Sequence, residues 1–96
     1  MAYCTQLEWD KDFPFERYQS MAEDPSSHAD LPDGCLARIV GRIGSGARIF
    51  EIWESSDDAR RFGEDSRGLL TEFKMPMPDR TAAFELETFR IRPAAG

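Results

Sequence analysis

The sequence predicts an α+β domain in which four antiparallel strands form one sheet and two helices cover a single face. Three observations carry this reading. Four stretches alternate apolar and polar residues with period two. Two others carry apolar residues at helical spacing. They run in the order strand, helix, strand, strand, helix, strand within 96 residues, a length that suits one domain, 1–96, and leaves no room for a second.

Residues 2–9 alternate, with Tyr3, Thr5, Leu7 and Trp9 on one face and Cys4, Gln6 and Glu8 on the other. Asp10-Lys11-Asp12 breaks the strand. Pro14 suits a first helical turn, where its missing N–H costs nothing. Phe15, Tyr18, Met21 and Ala22 then predict a helix over 14–23, closed by Asp24-Pro25. Residues 25–34, rich in Pro, Ser and Asp, read as a loop holding the chain's single histidine, His28. Residues 35–43 form the second strand, with Leu36, Arg38, Val40 and Arg42 facing one way and Cys35, Ala37, Ile39, Gly41 and Ile43 the other. Gly44-Ser45-Gly46 makes a hairpin turn. The third strand, 47–54, is apolar on both faces, Ile49 and Trp53 against Phe50 and Ile52, which marks a central strand.

Ser55 caps the second helix, and Asp57 and Asp58 sit where the helix dipole favours negative charge. Ala59, Phe62, Leu69, Leu70 and Phe73 supply its buried stripe. Gly63 and Gly68 weaken the helix and predict a break near them. Residues 74–78, Lys-Met-Pro-Met-Pro, are an extended connector. Residues 83–92 read as the last strand, with Phe84, Leu86, Thr88 and Arg90 opposing Glu85, Glu87, Phe89 and Ile91, and 93–96 as a frayed tail.

This order is that of the ferredoxin-like split βαβ motif. Right-handed crossovers place both helices on one face of the sheet. The other face is then uncovered and carries large apolar groups, either from the set Tyr3, Leu7, Trp9, Ile49 and Trp53 or from the opposite parity. Such a face predicts association with a second copy, a homodimer.

Twelve basic against eighteen acidic residues give a net charge of −6. That balance disfavours nucleic acid and anionic membrane surfaces as partners. No apolar run approaches the length of a membrane span, and the first residues lack a signal peptide's basic start, so the expectation is a cytoplasmic protein. Cys4 and Cys35 have neither C-x-x-C spacing nor secretory context and read as reduced thiols. One histidine and scattered carboxylates give no metal site.

The run Ala47-Arg48-Ile49-Phe50-Glu51-Ile52-Trp53-Glu54-Ser55, followed by Asp58-Ala59 and Arg61-Phe62, resembles the small dimeric α/β-barrel proteins of the antibiotic-biosynthesis-monooxygenase superfamily. In these a strand ending V-x-x-V-W-E-S leads into a capped helix of the form D/E-A-x-x-R-F. Residues 84–91 resemble their last strand. The order of elements matches over nearly the whole chain, and residue-level likeness covers about fifteen positions. The resemblance implies a homodimer whose two sheets pack into a barrel, with a small cavity in each subunit. It implies activities such as cofactor-free oxygenation of aromatic polyketides, haem degradation, cyclisation or isomerisation. The chain departs from the haem-degrading members. It has no asparagine, its histidine lies in a loop, and only Trp53 corresponds to their tryptophan. No cofactor is therefore expected.

His28 is the side chain whose unperturbed pKa lies nearest neutrality, and on a long loop it could act as a general base over a cavity. The alternative is a solvated loop histidine. Glu51 shares a face with Trp53. If that face lines a pocket, Glu51 is a buried carboxylate suited to acid–base work; otherwise it pairs with Arg38, Arg42 or Arg48. Trp53, Tyr3 and Ile49 offer flat apolar walls for an aromatic ligand, or else pack a core or dimer interface. Arg38 is placed to hold a carboxylate or phenolate, or to form an ion pair. The expected function is a small-molecule-binding or cofactor-independent enzyme, monooxygenase- or cyclase-like, acting on a hydrophobic aromatic metabolite in secondary metabolism through a closed apolar cavity. The competing expectation is a non-catalytic dimeric domain with a filled interior.

Overall fold

A computed structural model describes residues 2–23, 31–90 and 92. The elements run β1 (Tyr3–Trp9), α1 (Phe15–Glu23), β2 (Cys35–Ile43), β3 (Gly46–Trp53), α2 (Ser56–Asp65), α3 (Arg67–Glu72) and β4 (Arg80–Glu85). They form a four-stranded sheet of order β2-β3-β1-β4 in which every neighbouring pair is antiparallel. This is the predicted ferredoxin-like fold, with the doubly apolar β3 inside the sheet. The second helix breaks at Ser66, between the two glycines that weaken it.

The register sorts the side chains into rows that cross the strands. On one face the rows are Tyr3–Trp53–Cys35, Thr5–Glu51–Arg38, Leu7–Ile49–Val40 and Trp9–Ala47–Arg42. This face meets the helices. Phe13, buried just after β1, stacks edge-on against Trp9 at 4.8 Å and against Phe15 of α1 at 4.7 Å, and Tyr18 of α1 lies 5.6 Å away. Trp9, Phe13, Ala47 and Ile49 are the centre of the core. Phe62 of α2 rests on Trp53, ring centres 5.3 Å apart.

The opposite face has rows Phe84–Cys4–Ile52–Ala37, Ala82–Gln6–Phe50–Ile39 and Arg80–Glu8–Arg48–Gly41. No described helix covers it. Ile39 and Ile43 are 57% and 58% exposed there. Of the two parities the sequence left open, the uncovered one is therefore that of Phe50 and Ile52.

Two expectations need correction. The last strand was expected over 83–92, but the ladder runs Arg80–Glu85. Its partner sets both limits. β1 begins at Tyr3, opposite Glu85, and Leu86 N–H donating to Ala2 C=O is the last rung. At the other end Arg80 donates to Glu8 at 2.8 Å and pairs with Asp10, drawing the strand start forward. The second correction is to the face of Cys35. A bulge between Cys35 and Ala37 puts two residues against one and turns Cys35 onto the face of Arg38, opposite Trp53.

Local chemistry fixes the connections. The hairpin loop Gly44-Ser45 has Gly44 at φ 59°, as its first position requires. Ser45 then holds the turn after β1, its carbonyl accepting from Phe13 N–H at 2.8 Å and its hydroxyl from Asp12 N–H at 3.0 Å. At the start of α2 the Ser55 hydroxyl accepts from Asp58 N–H at 3.2 Å and donates to the Asp58 carboxylate at 2.8 Å.

A polar cluster on the covered sheet face

Two adjacent rows on the covered face bring most of the expected site residues together. Glu51 lies between Thr5 and Arg38, in register across three strands. It is 7% exposed, the one buried charged residue among those described. Arg38 donates to its Oε2 through Nε at 3.0 Å and Nη2 at 2.8 Å. Of the three arginines weighed as partners for Glu51, the structure chooses Arg38. Burial works against the charge on Arg38, but the Glu51 carboxylate beside it more than offsets this and holds the guanidinium charged.

The next row is Tyr3–Trp53–Cys35. Trp53 is buried and donates from Nε1 to the Thr5 hydroxyl at 3.2 Å. Tyr3 flanks it, half-buried. Phe62 closes the site from α2, with the Arg38 guanidinium 5.5 Å from its ring centre. Tyr18 approaches from α1. Burial pushes its phenol above the usual range, and the nearby Arg38 charge pulls it partly back. Burial also raises the Cys35 thiol, and the Glu51 charge adds to the rise while Arg38 pulls it partly back.

The cluster is thus a carboxylate–guanidinium pair, a phenol and a thiol beside the packed rings of Trp53 and Phe62. It sets one charged donor and one charged acceptor beside apolar rings. Arg38 keeps 21% of its side chain exposed and Glu51 9%. None of the described helices contributes a fully buried residue. The helical layer therefore rests on the cluster without sealing it.

Ile49 stands apart. It belongs to the aromatic core with Trp9 and Phe13, one row away from Glu51. His28 lies outside the described residues. Tyr18, Cys35 and Phe62 join the cluster although sequence reasoning gave them no role there. Tyr18 and Phe62 carried a usable signal, since each faces inward on its helix, but Cys35 was hidden by the bulge.

Two surface grooves lie away from the cluster. One groove of about 180 Å³ runs between β1 and β4, along Gln6, Glu8, Arg80, Thr81 and Ala82. A second, of about 410 Å³, lies by the start of α1 along Phe13, Pro14, Phe15, Glu16, Arg17 and Arg42. Both are open to solvent and neither touches Glu51 or Trp53. Among the described residues no group of three or more His, Cys, Asp or Glu could hold a metal ion, and no helix is long and apolar enough to cross a membrane.

No protein-family profile and no curated protein matches this chain. Solved structures do match it in fold. One is a candidate antibiotic biosynthesis monooxygenase from Chloroflexus aurantiacus, with a TM-score of 0.66 at 13% identity, covering 94% of this chain and 97% of that one. Another is the ActVA-Orf6 monooxygenase of Streptomyces coelicolor in complex with nanaomycin D, with a TM-score of 0.56 at 15% identity over 96% and 93% of the two chains. A third is a dimeric ferredoxin-like protein from an uncultured marine organism, at 0.55 and 11% over 96% and 93%. The chain shares the ferredoxin-like fold of antibiotic biosynthesis monooxygenase-like proteins.

Proposed function

We propose that this protein is a homodimer that binds a hydrophobic aromatic metabolite of secondary metabolism against Trp53, as a cofactor-independent enzyme of the monooxygenase or cyclase type. The observation that carries the reading is the largely buried Glu51–Arg38 pair, set beside Tyr18 and the packed rings of Trp53 and Phe62. An interior built for stability alone gains little from such a pair, because its desolvation costs about as much as its attraction returns. In this reading Trp53 and Tyr3 form the ligand's apolar wall, Arg38 holds its oxygen, and Glu51 is the acid–base group. Ile49 supports the wall from behind. His28 remains a candidate base on chemical grounds, as the chain's single imidazole. The fold match to a monooxygenase crystallised with nanaomycin D supports an aromatic ligand, and the match to a dimeric protein supports the pairing of uncovered faces.

A second reading, the non-catalytic dimeric domain, draws on the open grooves that bypass Glu51. Thermal unfolding with a panel of hydroxylated naphthoquinones separates the two. A ligand at a hundred times its dissociation constant stabilises the fold by about 2.7 kcal/mol. Stabilisation in the parent protein that disappears in Arg38→Ala is the expected result. No stabilisation by any member of the panel would leave the non-catalytic reading standing.

A further inference from the structure

We infer that the Arg38–Glu51 pair makes this site selective for an uncharged aromatic ligand over a carboxylate of the same shape, with Glu51 as the specificity-determining residue. The inference deepens the proposed function and rests on its placement of the ligand at Trp53.

The argument is one of charge balance in a half-buried place. The Arg38 guanidinium lies 5.5 Å from the Phe62 ring centre, and on its own it would make the site a receptor for anions. It is not on its own. Both of its bonds to Glu51 end on the one oxygen Oε2, so a carboxylate already occupies the guanidinium. The pair sums to zero. An incoming carboxylate would either displace Glu51, leaving that 7%-exposed residue charged and unpaired, or share Arg38 with it. Sharing sets two like charges a few ångströms apart, a strong penalty at any dielectric suited to a partly buried site.

An uncharged ligand meets no such penalty. The other carboxylate oxygen, Oε1, has no hydrogen-bond donor among the described residues and stands ready to accept from a ligand hydroxyl. The Tyr18 phenol, which burial holds protonated, is ready to donate to a carbonyl. Among the described residues, the groups set against the pair are Thr5 of β1, Tyr18 of α1, Cys35 of β2, Trp53 of β3 and Phe62 of α2. None of them adds a second positive charge to relieve an anion.

The test is calorimetric titration of the intact protein at neutral pH with 2-naphthol, which is uncharged, and 2-naphthoate, which is an anion of nearly the same shape. The parent protein is expected to bind 2-naphthol at least about tenfold more tightly. Glu51→Gln keeps the side chain's volume and frees the Arg38 charge, and is expected to reverse the order. Equal or tighter binding of 2-naphthoate by the parent protein overturns the inference and leaves the ligand site in place. An unchanged preference in Glu51→Gln overturns the role of Glu51. Should that variant not fold, the ratio in the parent protein decides. Binding of neither probe, or binding of both that survives Arg38→Ala, overturns the site itself along with the inference.

Discussion

Trp53→Ala separates a buried support from a binding surface. Trp53 is 1% exposed, the largest wholly buried side chain among those described. Tyr3 and Cys35 flank it in register, Phe62 lies on its ring at 5.3 Å, and its N–H is bonded to Thr5. Cutting such a side chain back to a methyl group removes transfer energy and leaves a cavity, together costing about 3–5 kcal/mol. Loss of the hydrogen bond adds roughly 1 kcal/mol at most, because the half-buried Thr5 hydroxyl can turn to water. A domain of this size has about 5–14 kcal/mol in all, so the variant should fold with a clearly lowered midpoint. Trp53→Phe keeps a ring against Phe62 and should lose only about 1–2 kcal/mol. Urea unfolding followed by far-ultraviolet circular dichroism measures both without relying on the fluorophore being removed. A loss below about 1.5 kcal/mol for Trp53→Ala would refute the packing argument. So would a loss for Trp53→Phe equal to that for alanine.

The other elements give equally direct expectations. Gly34 has φ 83°, and a β-carbon there would lie 2.5 Å from the Asp58 carboxyl carbon. Gly34→Ala should therefore cost about 2 kcal/mol or more, with partial recovery in Gly34→Ala/Asp58→Ala, and a change under about 0.5 kcal/mol would contradict it. Arg80 hydrogen bonds hold both the Glu8 and Asp10 carboxyls below their ordinary values of 4.5 and 3.8. A depressed carboxylate stabilises the fold above its unfolded pKa and loses that contribution as pH falls through the folded one. Melting temperature should accordingly drop as the pH is lowered below about 4.5, and Arg80→Ala should flatten that drop; parallel profiles would dismiss the clamp. Ile39→Glu puts a charge into the uncovered apolar row beside Phe50, and sedimentation should show the chain pass from dimer to monomer. A parent protein that sediments as a monomer would defeat the proposed pairing.

The sequence and the structure agree where a residue's environment is set by its immediate neighbours. The alternation in β3 placed Glu51 and Trp53 on one face without knowledge of any partner, and the capping residues placed the start of α2. Agreement fails where a distant segment decides. The end of β4 is set by where β1 begins, 82 positions from Glu85 to Tyr3, so the alternating residues beyond Leu86 have no strand to pair with among the described residues. The bulge at Cys35 inserts one residue and reverses the parity of everything before it, which no local pattern reveals. Phe13, a pillar of the core, sits directly after Asp10-Lys11-Asp12, where polarity argued for a loop. What holds it inward is Ser45, from a hairpin more than thirty residues away. The choice of Arg38 over Arg42 and Arg48 for Glu51 likewise depends on register, since only position 38 stands directly opposite.

Both sheet faces run against what a lone, maximally stable domain would choose, and the contrast between them is itself an argument. The covered face buries a carboxylate and a guanidinium, while the uncovered face exposes Ile39, Ile43 and Phe84. Replacing a buried ion pair by apolar residues of similar volume is often neutral or stabilising by about 1–4 kcal/mol, whereas removing one partner costs about 3–5 kcal/mol. If the pair serves a ligand rather than the fold, Arg38→Met/Glu51→Leu should match or exceed the parent protein in urea while losing its aromatic ligand. Arg38→Met alone, which strands Glu51, should be the least stable of the three. A double variant that loses more than about 2 kcal/mol would make the pair a structural device, since the rows on either side would then depend on its hydrogen bonds for their register. The two outcomes assign the charges to different tasks, and only the first assigns them to a ligand.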